Sequence, residues 1–503
     1  MTPTNLFKFV LLATLGIKLV LAYALPMSGD EAYFIVWAKH PDFGFYDHPP
    51  MVGWILHLLL YLGSSEVTLR LPAILLTTLI GLGIYQLLKP HDETRAALVA
   101  TLFLAAPLNI LNVLVSTDTP LILFVFLSAA ALFKALKKNS RLWYVLSGVF
   151  LGMAFLSKYF AVLLILGYLA CFIYVIRNAE QDRREKIRGL ILLLLASLPF
   201  VLINFYWNYT HCWDNILFNL YNRNEGEHLS VGKVAIFFGT QIYLMTPPVI
   251  YFLYKHRAEF REKTRLGHFM FAFVFLLPMA IFTLLSVKKI IGLHWVLAFY
   301  PFFYLLLSLY LSREELLKSL KFMVWFSAAH LAAIAVIAML PMETWKQHKL
   351  YDGIVFMFQN DAVVEKLRPY EKGFVLAADG YTPAAIASYH HGTNFIVFGE
   401  GSHYARQDDM ITDFRQFEGR DILILKKSAP DLMQYVPYFE SVESSQFTLR
   451  GATFYFVLGY GFDYAGYKEL VLKPVKEKYY KIPAFLPHTP CYFCEKYFPE
   501  ETH

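Results

Sequence analysis

Long apolar runs separated by short polar connections fill roughly the first two thirds of the chain. A transmembrane helix needs about 20 predominantly apolar residues. About eleven segments reach or approach this length, so we predict a polytopic, mainly α membrane helix bundle. The predicted spans are 9–25, 67–88, 96–115, 120–133, 142–157, 159–176, 190–207, 234–254, 269–287, 295–311 and 322–340. The apolar stretch 51–62 is too short to cross and is expected to lie in the interface or re-enter the membrane.

The pattern changes after Pro341. Short runs rich in β-branched and aromatic residues predict strands at 374–377, 395–398, 421–425 and 452–458, with helices at 383–390 and 431–438. A transmembrane domain at 1–341 followed by a small extracytoplasmic α/β domain at 342–503 is therefore predicted. The chain shows no internal repeat like the inverted halves of many secondary transporters.

Composition supports a membrane protein and excludes a soluble globular enzyme. The 503 residues are 57% hydrophobic and only 17% charged, whereas soluble domains carry about 25% charged residues. The formal net charge of +6 informs on orientation rather than on nucleic-acid binding, because it is spread over loops. No basic patch with interleaved aromatic residues is present, so no nucleic-acid partner is expected.

The distribution of Lys and Arg predicts the orientation. Alternate connections, from the one after span 67–88 to the one before span 322–340, hold roughly nineteen basic residues, and the opposite connections hold about seven. The positive-inside rule places the N-terminus in the cytoplasm and everything after Pro341 outside. The first apolar run has no cleavage site before Asp30, so it is predicted to be a retained helix rather than a signal peptide.

Two features of the sequence, a pair of cysteines near the C-terminus and a lysine in the first span, are predicted to have structural roles or none. Cys491 and Cys494 form a C-Y-F-C pair that lacks the further ligands of a zinc site, so a local disulfide or two idle thiols is expected. Lys18 falls in the middle of the first span, where a charge costs about 2.5–3.5 kcal/mol. It is expected to face the bundle interior or a partner acid.

The predicted orientation collects acidic and basic residues in loops on the outer face. Asp30 and Glu31 directly follow the first span, and carboxylates near the headgroups cost free energy unless they are solvated, paired or used. They either act as a general base and electrostatic partner or cap the helix that follows. The further candidates on this face are Asp47, His48, Asp118, Lys158, His211, Arg223, Lys288, Lys289 and His294.

Each of these candidates also has a structural explanation. Asp118 lies in S-T-D-T-P, which starts a helix well, so it either caps that helix or serves catalysis. Lys158 lies between apolar residues, where it either snorkels to the interface or binds a phosphate. The same two alternatives hold for Lys288 and Lys289. His48, which precedes two prolines, is either a polar interfacial residue or a substrate contact.

Four segments together resemble one family. The first outer loop reads D-E-A-Y-F at 30–34 and F-G-F-Y-D-H-P-P-M at 43–51. Together they resemble the signature of bacterial membrane glycosyltransferases related to the protein O-mannosyltransferases (family 39) and the lipid A aminoarabinose transferase (family 83). R-L-P at 70–72, G-M-A-F-L-S-K at 152–158 and N-F-Y-W-N-Y-T-H at 204–211 resemble further segments of that family.

The resemblance implies a GT-C fold, with an extracytoplasmic active site under loops and a polyprenyl-phosphate-linked sugar donor. It implies that Asp30 is the general base and that Asp118 is a second catalytic aspartate. The donor phosphate would be bound by Lys158 and by Lys288 or Lys289. The remaining predicted substrate-binding residues are Glu31, Asp47, His48, Arg70, His211, Arg223 and His294. One departure is His48, which stands where the aminoarabinose branch has a Lys and which is only partly charged at neutral pH.

The predicted reaction is transfer of a sugar, with inversion, to an envelope lipid, glycan or protein outside the cytoplasm of a bacterial inner membrane. Protein cations suffice to neutralise the phosphate leaving group, so no cofactor is required, although Asp47, His48 and His211 could hold a divalent cation. The alternative function is a transporter or lipid-linked-sugar flippase, which would place charges along a path through the bilayer. Lys18 is almost the only charge of that kind.

Overall fold

The computed structural model describes residues 1–178, 182–220, 228–259 and 269–501. The chain divides into two compact units. The first consists of Met1–Leu25, Leu62–Ile203 and Gly226–Val336, and the second of Pro26–Tyr61, Asn204–Glu225 and Ile337–His503. The second unit therefore combines the C-terminal segment with the first outer loop and the segment after 203, which the sequence placed with the spans. The division into domains 1–341 and 342–503 stays a prediction.

The protein is mainly helical, as predicted. The α-helices of the described residues are α1 Pro3–Ala24, α2 Gly29–Lys39, α3 Met51–Leu60, α4 Glu66–Leu88, α5 Glu93–Leu104, α6 Pro107–Leu111, α7 Asp118–Lys138, α8 Arg141–Phe155, α9 Ala161–Asn178, α10 Arg183–Thr210, α11 Asp214–Leu220, α12 Val231–Met245, α13 Pro247–Lys255, α14 Phe269–Ser286, α15 Tyr300–Tyr310, α16 Arg313–Met339, α17 Tyr351–Phe358, α18 Asn360–Glu365, α19 Tyr381–His391, α20 Arg406–Ile411, α21 Tyr464–Tyr467, α22 Lys473–Tyr479 and α23 Tyr492–Tyr497.

The predicted spans are helical but not all continuous. Among the described residues, seven helices are long and apolar enough to cross a membrane, namely α1, α4, α7, α9, α10, α14 and α16. The pair α12 and α13 passes the same test together but bends by 88° at Thr246, where two prolines follow. The predicted spans 96–115, 142–157 and 295–311 are shorter helices, and the first of them breaks before Pro107. These helices make the chain an integral membrane protein.

Lys18 faces the interior of the first unit, as expected, but its partner is not an acid. Its side chain is fully buried, and its Nζ donates to the Thr77 hydroxyl at 2.6 Å and to the Ala73 carbonyl at 3.2 Å. Both acceptors belong to α4. A hydroxyl and backbone carbonyls therefore satisfy the one charge that lies in the middle of α1, so this lysine stabilises the packing of α1 on α4.

A five-stranded sheet with helices forms the core of the C-terminal part of the second unit, as predicted. The strands are β1 Phe374–Ala378, β2 Ile396–Val397, β3 Asp421–Lys426, β4 Phe439–Leu449 and β5 Ala452–Phe462, in the order β2-β1-β3-β5-β4. β1 is parallel to β2 and β3, and β5 is antiparallel to β3 and β4. α19 connects β1 to β2, in agreement with the helix predicted at 383–390.

Two local predictions in this part are wrong. No strand was predicted at β4, because this edge strand is mostly exposed and its residues show no apolar pattern. The segment 431–438, predicted as one helix, forms two short 3₁₀ turns that lead into β4. Pro437 in the second turn removes a backbone donor that an α-helix would need.

The expectation for Cys491 and Cys494, a local disulfide or two idle thiols, is also wrong, because Cys491 is bonded to Cys212, 279 residues away. Cys212 and Trp213 have φ angles of 54° and 60°, so the chain turns sharply after α10. The Cys212 N–H then donates to the Pro490 carbonyl at 3.2 Å, which aligns the two cysteines. Cys212 is fully buried in the apolar core beside the sheet, and a bond across such a separation leaves no trace in local sequence.

Candidate active site

Asp118 and Lys158 form a buried ion pair in the first unit. Asp118 is the first residue of α7, and Lys158 follows the end of α8 after a short turn. Lys158 Nζ donates to Asp118 Oδ2 at 2.7 Å, with the two side chains only 8% and 4% exposed. Asp118 Oδ1 is also buried and accepts no hydrogen bond from the described residues. Buried polar atoms normally have a partner, so this oxygen is available to a ligand.

Two side chains of the first unit lie near this pair, the His294 imidazole and the Phe160 ring. His294 Nε2 is 3.8 Å from Asp118 Oδ2, and its side chain is 57% exposed. The Lys158 ammonium lies 5.3 Å from the centre of the Phe160 ring, a distance at which the ring quadrupole stabilises a cation. Lys288 and Lys289 follow the end of α14, where the first is exposed and the second partly buried. The observed group thus consists of the Asp118 carboxylate, the Lys158 ammonium and the His294 imidazole.

In the second unit, Asp30 and Glu31 lie in the first turn of α2 but have different environments. Ser28 caps this helix, and its backbone N–H and hydroxyl donate to Glu31 Oε2 at 3.2 Å and 3.0 Å. The Glu31 N–H donates back to the Ser28 hydroxyl, which completes a capping box. The buried Glu31 carboxylate thus holds the helix start, whereas Asp30 is exposed. A capping role was one of the two explanations considered for this pair, and it applies to Glu31.

Asp47 and His48 are neighbours in the loop between α2 and α3. Asp47 is buried at 6% exposure, and its Oδ2 is 3.1 Å from His48 Nδ1 without hydrogen-bond geometry. Asp47 Oδ1 is buried and has no hydrogen-bond partner among the described residues. A second unsatisfied carboxylate oxygen therefore lies in the segment Pro26–Tyr61, which also carries Asp30.

The last turn of α10 and the residue that follows it fix the conformation of this loop. Trp207 Nε1 donates to Asp42 Oδ2 at 3.0 Å, and a Cβ at Gly44 would overlap the Trp207 ring. The His211 ring stacks on Trp207 with centroids 4.4 Å apart, and its Nε2 is 3.8 Å from Asp42 Oδ2. His211 thus acts through Trp207 and Asp42 on the loop.

Two asparagines of α11 hold the backbone of the same loop. Asn215 Nδ2 donates to the Phe45 carbonyl at 2.7 Å, and Asn219 Nδ2 donates to the Asp47 carbonyl at 3.1 Å. The side chains are four residues apart, so they project from one face of the helix. Neither residue was predicted from the sequence, although an Asn pair four residues apart, next to the W-N-x-x-H segment, indicates a polar helix face that could bind backbone.

The other predicted substrate-binding residues have different positions. Arg70 is fully buried, and its Nη1 donates to the Ala22 and Leu25 carbonyls, each at 2.7 Å. These are the carbonyls at the C-terminal end of α1, so the guanidinium caps that helix. Arg223 lies outside the described residues. Its substrate-binding role, like those of the other candidates, stays a prediction.

The described residues contain no group of three or more His, Cys, Asp or Glu side chains arranged to hold a metal ion. In particular, His211 contacts Asp42 and Trp207. The carboxylate of Asp47 lies instead against His48. The three residues considered for a divalent cation are thus not assembled as a ligand set.

A buried network of acids and tyrosines in the second unit was absent from the sequence prediction. Tyr480 OH donates to Asp409 Oδ2 at 2.7 Å, and Arg406 Nη1 is 3.2 Å from the same oxygen. Tyr492 OH donates to Asp214 Oδ2 at 2.8 Å. Burial raises the pKa of the Asp214 and Asp409 carboxyls. The polar run R-Q-D-D at 406–409 gives no sequence signal that its members are buried.

Asp408 connects this network to α2. Tyr33 OH donates to Asp408 Oδ2 at 3.1 Å and is 2.9 Å from the Tyr404 carbonyl. Burial raises the pKa of Asp408 to about 7. α2, which carries Asp30, is therefore anchored through Tyr33 to a carboxyl group that titrates near neutral pH.

Known proteins resemble the chain in part of its sequence and in its fold. Residues 47–207 match the family described as dolichyl-phosphate-mannose-protein mannosyltransferase. The lipid A galacturonosyltransferase RgtD of Rhizobium johnstonii is 26% identical over 280 residues, which cover 52% of this chain and 57% of that protein. The chain thus matches little more than half the length of this relative.

Two solved structures of ArnT from Cupriavidus metallidurans share the fold. The structure bound to undecaprenyl phosphate has a TM-score of 0.63 at 15% identity, and the apo structure has 0.62 at 16%. Each comparison covers 90% of this chain and 97% of the other. The predicted resemblance is therefore confirmed: the chain is an integral membrane protein of the GT-C fold, related to the glycosyltransferases of the protein O-mannosyltransferase type.

Proposed function

We propose that the protein is a membrane glycosyltransferase that moves a hexosyl or pentosyl group from a polyprenyl-phosphate donor to an envelope acceptor. The acceptor group is a hydroxyl or phosphate of lipid A, of a glycan or of a protein. The observation that carries the proposal is the buried Asp118–Lys158 pair, which keeps an unsatisfied carboxylate oxygen next to a cation. The family match over residues 47–207 and the relative that acts on lipid A support the reaction class.

Asp30 is proposed to be the general base. It is exposed in the first turn of α2, while the Glu31 carboxylate holds the helix cap. Asp30 accepts the proton of the acceptor hydroxyl as its oxygen bonds to the anomeric carbon. The bond from that carbon to the phosphate oxygen breaks in the same displacement, so the configuration inverts and polyprenyl phosphate leaves.

Lys158 is proposed to neutralise the leaving phosphate. An ammonium has three donors, and one of them is directed at Asp118. Lys288, Lys289 and His294 supply further positive charge from the same unit. Since protein cations can stabilise the developing charge, we propose that no cofactor is required. Transfer that stops with EDTA and recovers with Mg²⁺ would instead establish a divalent-cation requirement.

The proposed location is a bacterial inner membrane with the N-terminus in the cytoplasm and the second unit outside it. The charge bias of the loops supports this orientation. The Cys212–Cys491 disulfide supports it as well, because structural disulfides persist in oxidising compartments such as the periplasm.

The test is Asp30→Asn in membranes supplied with a polyprenyl-phosphate sugar and an acceptor glycolipid. Removing a general base slows transfer by about 100-fold to 10,000-fold. Asp352→Asn, an exposed acid at the start of α17, is the matched control and is expected to leave transfer unchanged. Unchanged transfer by a normally expressed Asp30→Asn variant would end the base assignment. Substrate flux without any glycosidic bond would indicate a transporter.

A further inference from the structure

The helix that carries Asp30 packs on a helix of the C-terminal part of the second unit. A Cβ at Gly29 would overlap the Thr382 methyl group, so only glycine permits this approach of α2 to the start of α19. One helical turn later, the Tyr33 and Tyr381 rings lie 4.8 Å apart between centroids. Asp30 follows Gly29 directly, and α19 therefore begins beside the proposed base.

Three tyrosines line this region. The Tyr404 ring is 5.9 Å from the Tyr381 ring, and the Tyr404 carbonyl oxygen lies 2.9 Å from the Tyr33 hydroxyl. We call Tyr33, Tyr381 and Tyr404 the tyrosine cluster. Tyr33 is only 3% exposed, whereas Tyr381 and Tyr404 are partly exposed. The cluster thus presents two aromatic rings to solvent and is held from behind by the third.

The tyrosine cluster is close to the acids of the first loop. Burial raises the pKa of the Tyr381 phenol, and the carboxylates of Asp30 and Asp47 raise it further. The geometry agrees for Asp30, since the Thr382 methyl group, next to Tyr381, lies against Gly29, the residue before Asp30. Asp47 Oδ1 is buried and has no hydrogen-bond partner among the described residues. An aromatic face thus lies beside the start of α2, which carries the Asp30 carboxylate.

This combination suits a saccharide. The C–H groups on one face of a pyranose ring carry partial positive charge and pack on the negative face of an aromatic ring. The hydroxyl groups at the edge of the sugar then reach the carboxylates that orient it. Ligand sites commonly combine aromatic walls with a few placed polar groups in this way. A sugar hydroxyl placed at Asp30 is the one that loses its proton.

We propose that Tyr381 is a specificity-determining residue that binds the acceptor sugar beside Asp30. This inference rests on the proposed function and extends it, because it makes the acceptor a saccharide rather than a polypeptide. It also gives the C-terminal part of the second unit a role in substrate binding. The aromatic ring is the contributing group, and the phenolic hydroxyl is secondary.

The experiment compares steady-state transfer by the full-length Tyr381→Leu, Tyr381→Phe and wild-type proteins in detergent, with lipid A as the acceptor. Leucine keeps an apolar side chain, although a smaller one, and removes the aromatic face. We expect Tyr381→Leu to raise the acceptor KM about tenfold, the loss of one aromatic contact, with the donor KM unchanged. Tyr381→Phe should keep an acceptor KM within about threefold of wild type, since the ring is retained.

Tyr389→Leu, which changes a partly exposed tyrosine two turns further along α19, is the control. An unchanged acceptor KM in Tyr381→Leu, or an equal increase in Tyr389→Leu, would overturn the inference while leaving the proposed function standing. A wild-type protein that glycosylates a polypeptide but not lipid A would overturn it as well. If the wild type transfers no sugar at all, the proposed function fails and the inference fails with it.

Discussion

The Asp118–Lys158 pair allows structural and functional effects to be separated. Lys158→Met removes the cation and leaves the Asp118 carboxylate buried without its partner 2.7 Å away. Because the side chains are only 8% and 4% exposed, solvent compensates little for the lost interaction. Removing one member of a buried pair costs about 3–5 kcal/mol. We therefore expect a marked decrease in the thermal unfolding midpoint of the detergent-solubilised protein.

The double variant Lys158→Met with Asp118→Asn removes both charges. Replacing a buried ion pair by uncharged groups of similar volume is often neutral for stability, so the midpoint should return close to that of wild type. Sugar transfer should be strongly reduced in both variants, since the donor phosphate has lost the Lys158 ammonium. The two readouts, thermal unfolding followed by intrinsic fluorescence and transfer of a radiolabelled sugar, thus separate in this variant.

Lys318→Met is the matched control. Lys318 and Glu314 also lie 2.7 Å apart, but their side chains are 62% and 76% exposed, so solvent screens the pair and the midpoint should not change. A Lys158→Met protein as stable as wild type would refute the structural part of the reasoning. Transfer at the wild-type rate by the double variant would refute the functional part.

Three further predictions concern the second unit. Because burial raises the pKa of Asp408 to about 7, the folded state binds this proton more tightly than the unfolded chain, and up to roughly 4 kcal/mol of stability is lost as the pH rises from about 4 to above 7. The wild-type unfolding midpoint should thus decrease from about pH 5 to about pH 8 more than that of Asp408→Asn. Cys212→Ser removes a disulfide between residues 279 apart and should destabilise the protein by up to about 5 kcal/mol. The Cys212→Ser protein should also migrate differently from wild type on non-reducing gels, whereas the control Cys171→Ser protein should migrate like wild type. Asn215→Ala leaves the Phe45 carbonyl without its donor and should cost about 1–3 kcal/mol and reduce transfer.

Each of these three has a definite contrary result. Equal pH slopes for wild type and Asp408→Asn would show that this carboxyl does not titrate in that range. A Cys212→Ser protein that melts like wild type under oxidising conditions would contradict the disulfide estimate. Full stability and full transfer by Asn215→Ala would show that α11 does not hold the first loop.

The membrane fold was predictable because its signal is local. An apolar run long enough to cross the bilayer can be recognised in the sequence itself, and the helices α1, α4 and α7 coincide with such runs. The bend between α12 and α13 was also accessible, since Thr246 precedes two prolines that interrupt the backbone hydrogen bonds. One straight span was predicted there, because hydropathy carries no information on whether a helix bends.

The candidate site was only partly predictable. Asp118 and Lys158 could be named from their motifs, but the hydrogen bond between them joins residues 40 apart, which single-sequence patterns cannot reveal. Glu31 was grouped with Asp30, although the S-x-x-E spacing from Ser28 indicated a capping box. Tyr381 gave no signal, because it lies in a part of the chain with no recognised motif and approaches Asp30 only through the packing of α2 on α19.

The most direct test of the account is the product formed by the purified protein from a synthetic polyprenyl-phosphate sugar of known anomeric configuration. We predict one glycosidic bond in the acceptor with inverted configuration, measured by NMR, and one equivalent of released polyprenyl phosphate, measured by mass spectrometry. A product with retained configuration would contradict direct displacement assisted by Asp30. An intact donor that only crosses the membrane would contradict glycosyl transfer altogether.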